Sequence, residues 1–365
     1  MTTHYEERMQ VDLDTIHRKL RKVSDLVENQ VQNAVEALLT GTDALAKQVV
    51  LGDRQVNRRI KQVDYLCHAF IVRHAPSAGH LRQASAALRF GVALERVGDY
   101  AGMISREVVQ LGQPVPDAVS RDIELIAHQA RHTLSEALRA FHESDLEIAR
   151  QTYGLADQTD LTLDKVMTEL VVMGDSRAHS VQSIFSLLRI VSLIKRVAEQ
   201  SENICEQAIF QMTGETRHAR VFRILFVDEH NNRSSQIAEA SARKGVPKSG
   251  VYHSAGWNCN GELDENLIDF MDRHGVDMRS AFTRRLRPVA DEPEHFHVIV
   301  SFSPGIREHL GKLPYRTTLL EWDHGAGSGM DDETLEKLYK NVVVYVQDLM
   351  LTLAGPDARG VHFGC

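Results

Sequence analysis

The sequence predicts a multidomain chain: an all-α region of tandem three-helix bundles, followed by an α/β region with a parallel sheet. Three observations predict this. Up to Glu215 the apolar residues recur at spacings of three and four, the pattern of amphipathic helices. The segment Leu94-Glu95-Arg96-Val97-Gly98-Asp99-Tyr100-Ala101-Gly102-Met103-Ile104 returns, altered, as Ile194-Lys195-Arg196-Val197-Ala198-Glu199-Gln200-Ser201-Glu202-Asn203-Ile204, so a helical unit is duplicated. After Thr213-Gly214-Glu215 short apolar runs alternate with helical patterns, as in a parallel sheet covered by helices.

The first helix runs from Val11 to about Gly41, with Leu13, Ile16, Leu20, Val23, Val27, Val31 and Leu38 on its apolar stripe. A second is expected over Asp43–His74, and Pro76-Ser77-Ala78-Gly79 separates it from a third over His80–Leu111. Gly112-Gln113-Pro114-Val115-Pro116 then divides this triplet from another, with helices over Asp117–His142, Asp145–Met173 and Arg177–Met212. Short connections between long helices predict antiparallel neighbours, hence bundles over 5–112 and 113–218. In the α/β region, 219–354, strands are expected at Arg223–Val227, Gly250–Ser254, His297–Phe302 and Arg316–Leu320. Helices are expected to begin near Ser234 and to cover Leu263–His274, Ile306–Gly311 and Asp332–Thr352, and the glycine-rich residues 355–365 read as a loose tail.

A formal charge of −8 and the lack of a basic block argue against a nucleic-acid binder, because phosphate-backbone affinity needs clustered lysine and arginine. Cys67, Cys205, Cys259 and Cys365 include no CxxC pair, which fits reduced thiols and argues against a thiolate metal centre. The N-terminal residues are charged, without an apolar signal-peptide core, and no run is long enough to span a membrane, so the expected location is the cytoplasm. Glu95 and Asp99 lie one turn apart on one helix face, a spacing at which two carboxylates can grip a cation. His295 and His297 are an isolated HxH and read as scatter.

Asp53-Arg54-Gln55-Val56-Asn57-Arg58-Arg59-Ile60 with Asp64, then Leu94-Glu95-Arg96-Val97-Gly98-Asp99, then Gln211-Met212-Thr213-Gly214-Glu215-Thr216-Arg217-His218 resemble the PhoU family. The likeness covers about residues 5–218. It implies paired three-helix bundles and a cytoplasmic negative regulator of phosphate uptake, not an enzyme. The implied partners are the ATPase of a phosphate ABC transporter and a PhoR-type sensor histidine kinase; a homodimer is expected, with no nucleic-acid partner and with membrane association only through those partners. Some members of that family hold iron or zinc clusters on a Glu-x-x-x-Asp motif, which implies a divalent or iron ion at Glu95 and Asp99. In the second repeat the first acid is replaced by Lys195, whose ammonium opposes a metal one turn away, so Glu199 and Glu202 are the poorer candidates.

Arg223 to Ala240 is similar to the opening of low-molecular-weight tyrosine phosphatases and the related arsenate reductases, with echoes in His253-Ser254-Ala255-Gly256 and His274-Gly275-Val276-Asp277. In that family a Cys-x5-Arg-Ser loop wraps a phosphate with backbone N–H groups and an arginine. The corresponding candidates are Asp228, Asn231, Asn232, Arg233 and Ser234, and the nucleophilic cysteine is replaced by Asp228 in a loop one residue shorter. No catalytic residue is therefore assigned; Asp323 is a loose counterpart of the family's general acid, and turnover through Asp228 as an aspartyl nucleophile would need metal-binding neighbours that the loop supplies thinly. Two readings stay open. The loop binds phosphate or a phosphorylated residue as a sensor, or Asp228 fills it and the domain is a docking module. The rival is a tyrosine phosphatase or arsenate reductase regulated by the helical half.

Overall fold

The structure is a computed structural model and describes residues 4–155, 159–176, 179–215, 221–259, 263–288, 296–311, 313–314, 317–323, 329 and 331–355. The chain divides into two compact units, Met1–His218 and Ala219–Cys365.

In the first unit α1 (His4–Thr40), α2 (Asp43–His74) and α3 (Ala78–Leu111) are followed by α4 (Asp117–Glu143), α5 (Leu146–Thr152), α6 (Thr159–Asp175) and α7 (Val181–Thr213). The periodic stripe of α1 is buried as expected, including Leu13, Ile16, Leu20, Val27 and Val31. Helix ends are set by residues that leave the right-handed region: Ala75, Gly112, Ser144 and Gly214 are all left-handed at C-caps, each donating its N–H back into the helix. Asp145 caps α5 by accepting from the N–H groups of Glu147 and Ile148. α3 packs on α7 and α1 on α4, so the two repeats share one continuous core. Phe90 of the first repeat and Phe141 of the second stack with centroids 3.8 Å apart.

The single helix expected over Asp145–Met173 is two helices. Gly154 has φ +91°, a conformation no α-helix accommodates, and α5 stops at Thr152. The next helix starts at Val181, with the Ser180 hydroxyl accepting from the Ser183 N–H as its cap, and the expected start, Arg177, lies outside the described residues. Residues 216–220, which hold the end of the Gln211–His218 motif and the expected boundary, lie outside the described residues, as do Arg316, His295, Ala326, Gly327 and the tail from 356.

In the second unit β1 (Phe222–Asp228), α8 (Ser234–Gly245), β2 (Gly250–Gly256), α9 (Glu265–Arg273), β3 (Val298–Ser301), α10 (Arg307–Leu310), β4 (Thr318–Glu321) and α11 (Asp332–Ala354) build a parallel sheet of order β2-β1-β3-β4. Alternation along β1 sends Ile224 and Phe226 into one core with α8, α9 and α11, and Leu225 and Val227 into another with Ile299, Ile306 and Leu310. β1 is flanked by strands on both sides. Its C-terminal residue, Asp228, lies where parallel sheets present their loops to ligands, and the register pairs it with Gly256 of β2.

Candidate functional site

The loop from Asp228 to Arg233 joins β1 to the N-terminus of α8, so exposed helix amides and strand-end side chains converge. Asp228 is 6% exposed. Its Oδ1 accepts the Asn231 N–H, and its Oδ2 accepts the Ser235 N–H at 2.8 Å. The carboxylate therefore occupies donors that such a loop would otherwise turn toward a bound anion.

Asn231 makes this turn possible. Its φ is +52°, in the left-handed region that asparagine tolerates, and its buried amide is engaged at both oxygen and nitrogen. Oδ1 accepts from Gln236 Nε2 at 3.0 Å and from the Arg284 N–H at 2.7 Å, while Nδ2 donates to Ser235 Oγ at 2.9 Å. Gly256 supports the loop from β2: a Cβ there would stand 2.6 Å from Asn231 N and 2.7 Å from Asp228 O. Ser303 Oγ accepts the Glu229 N–H, and the Asn258 N–H donates to the Glu229 carbonyl at 2.7 Å. His230 is a turn residue whose Nδ1 meets the Asn258 carbonyl oxygen at 2.8 Å.

Arg233 precedes α8 directly; burial pulls its guanidinium below the ordinary range, and the negative charge of Asp228 opposes that shift. From the sequence, Asp228 is expected only to fill the loop. The structure adds the two main-chain donors. Ser234 is buried at the first position of α8, and Asn232 lies in the loop, half-buried.

The Asp228–Gly256 register brings Cys259 near the loop, three residues beyond Gly256. Its Sγ donates to the Gly256 and Arg284 carbonyl oxygens at 3.1 and 3.2 Å, and burial raises its pKa, with Asp228 adding to the rise. It is a protonated donor rather than a poised nucleophile. Asp323 follows β4, two strands from Asp228, and its carbonyl oxygen accepts the Tyr345 hydroxyl.

The helical unit carries the other candidate site. Glu95 and Asp99 share one half-buried face of α3, and the fold brings Asp53 of α2 to them. Burial raises the Asp99 pKa, the negative charges of Asp53 and Glu95 and a hydrogen bond with Asp53 raise it further, and Arg106 opposes them. Asp53 Oδ1 and Asn57 Oδ1 are buried acceptors without a hydrogen-bond partner, and Gln30, 5% exposed, has both side-chain polar atoms in the same condition. Crowded carboxylates beside unfilled acceptors suit a cation, although no three metal-binding side chains among the described residues are gathered in ligating geometry. Asp53 was legible only as part of the resemblance. At the matching place in α7, Lys195 is 3% exposed and stands one turn from Glu199, where a lysine charge would oppose a metal ion.

Among the described residues no helix is long and apolar enough to cross a membrane. Residues 20–108 and 123–208 each match the PhoU domain. The phosphate-specific transport system accessory protein PhoU homolog of Pseudomonas aeruginosa is 28% identical over 237 residues, 63% of this chain and 96% of that protein. The crystal structure of PhoU from Pseudomonas aeruginosa is similar to 56% of this chain and 99% of its own, with 26% identity and a TM-score of 0.54. An arsenate reductase solved in the phosphate-binding state aligns with 36% of this chain and 99% of its own, at 16% identity and a TM-score of 0.32.

Proposed function

The chain carries two PhoU domains, and from that premise we propose that it is an accessory regulator of phosphate transport, acting in the cytoplasm by protein–protein contact rather than by catalysis. In this reading the helical unit restrains phosphate uptake when phosphate is plentiful, through the ATPase of a phosphate ABC transporter and a PhoR-type histidine kinase, as a homodimer. The observation that carries the reading is the pair of domain matches, one on each repeat. Exposed apolar side chains on the helices, Leu51, Tyr65 and Val72 on α2 and Val92 and Met103 on α3, support a role in contacting partners.

Glu95 and Asp99, with Asp53 beside them, would hold a divalent or iron ion in the first repeat alone. Such an ion would neutralise the crowded carboxylates and tie α2 to α3. The α/β unit serves as a docking module without phosphatase chemistry, because its loop lacks a thiolate and Asp228 is engaged by amides on both oxygens. The test is co-purification of the full chain with the transporter ATPase of the same genome at millimolar phosphate. Retention on the ATPase is expected; equal recovery with and without it would remove the proposal.

A further inference from the structure

α1 and α2 enclose a groove of about 260 Å³, lined by Thr15, Arg18, Lys19, Lys22 and Val23 of α1 and by Arg59 and Gln62 of α2. Its charge is of one sign. Four cations face it and no carboxylate lines it. Arg18 donates to Thr15 Oγ1, and among the described residues none of the four cations makes an ion pair. Of the acids nearby in sequence, Asp12 is engaged with Arg73 and His74, Asp14 with Gln10, and Asp64 lies beside His68, while Asp25, one turn beyond Lys22, does not line the groove.

This is unusual for the molecule. The chain as a whole is acidic, with a net charge of −8. At a cavity of about 420 Å³ between α8 and the segment 275–284, by contrast, Arg243 pairs with Glu239 at 2.6 Å, Lys244 donates to the His274 carbonyl at 2.7 Å, and Arg284 meets His253 Nδ1 at 3.0 Å. Like charges in a shared groove repel one another, and only an anion relieves that repulsion. Arg18 to Lys22 spans roughly 6 Å along α1 at the rise of an α-helix, with Arg59 across the groove, more than one tetrahedral oxyanion can bridge. Arginine offers a planar fork and lysine a mobile point charge, the pair of donors that suits successive phosphoryl groups.

We propose that this groove binds an anion carrying two or more phosphoryl groups, at a site separate from the Asp228 loop and from the Glu95–Asp99 face. The test uses the full chain, freed of metal by chelator, in phosphate-free buffer at about 0.1 M salt, titrated calorimetrically with inorganic triphosphate. Saturable binding is expected, weakened roughly tenfold or more in Lys19→Gln/Lys22→Gln and falling with added salt because exposed charges are screened beyond about 8–10 Å. Arg233→Ala should leave it unchanged. Both lysines are exposed on one long helix, so circular dichroism of the double variant should match the parent and separates lost binding from lost folding. No heat up to millimolar triphosphate would overturn the proposal, as would equal binding by the double variant or equal binding of a glutamate oligomer of the same charge.

Discussion

The Asp228 carboxylate accepts the backbone N–H of Ser235 at 2.8 Å, across the start of α8. With the Asn231 N–H on its other oxygen, the side chain acts as a built-in anion. One consequence is mechanical. Asp228→Ala leaves two donors of a buried loop without an acceptor, which costs about 1–3 kcal/mol per unsatisfied group. Urea unfolding followed by a probe in the α/β unit should show a lower midpoint for this variant. An unchanged midpoint would mean that water replaces the carboxylate freely.

The same variant tests whether the loop is closed by its own acid. Orthophosphate should give no saturable signal with the wild-type chain and a measurable one with Asp228→Ala, because the freed amides and Arg233 regain an anion site. Binding by the wild type, lost in Arg233→Ala, would instead make the loop a phosphate sensor.

Gly256→Ala should damage the loop from the neighbouring strand. The added carbon would stand 2.6 to 2.9 Å from Asn231 N, Asp228 O and Glu229 O, all backbone atoms that cannot rotate aside. A loss of roughly 2–4 kcal/mol is expected, within the range for overpacking and disrupted backbone bonding. Thermal unfolding measures it directly.

Acid should loosen the contact between the repeats. His142 of α4 lies against Phe90 and Ser24, and burial, with Arg21 and His17 nearby, lowers its pKa from 6.5 to about 4; burial lowers that of His17 as well. The unfolded chain therefore takes up protons below about pH 6.5 that the folded chain refuses until about pH 4, so this contribution to stability declines as pH falls through that window. His142→Gln should flatten the slope of unfolding free energy between pH 7 and pH 5. An unaltered slope would place the acid sensitivity elsewhere.

Metal content separates the two repeats. Protein purified without chelator is expected to carry a divalent or iron ion that Asp99→Asn or Glu95→Gln removes and that Glu199→Gln leaves in place. Elemental analysis decides this, and equal loading of the parent and Asp99→Asn would contradict it.

The long helices were legible because their apolar periodicity is strong, and α2 spans the residues read from the sequence, Asp43–His74. The break at Gly154 was not, since a lone glycine inside a periodic segment does not announce a left-handed turn. The β1 loop was visible as an anion cradle with a carboxylate in it. What the carboxylate bonds to was not, because an acceptor and a donor seven residues apart in sequence meet only when the strand and helix are placed. The positions of Cys259 and Asp53 were not legible for the same reason: one is delivered by strand register and the other by the packing of α2 on α3. Most of the basic groove's charge lies in one stretch, Arg18 to Lys22, and what the sequence does not show is that the packing of α2 on α1 brings Arg59 to face it.

Regulation by the helical unit, without chemistry in the α/β unit, is the central claim. The most direct measurement is radiolabelled phosphate uptake in cells replete with phosphate, with and without this chain, alongside p-nitrophenyl phosphate turnover by the purified protein. Uptake should rise when the chain is removed, and turnover should be absent. Unchanged uptake, together with turnover that disappears in Asp228→Asn, would contradict the claim and make the protein an enzyme.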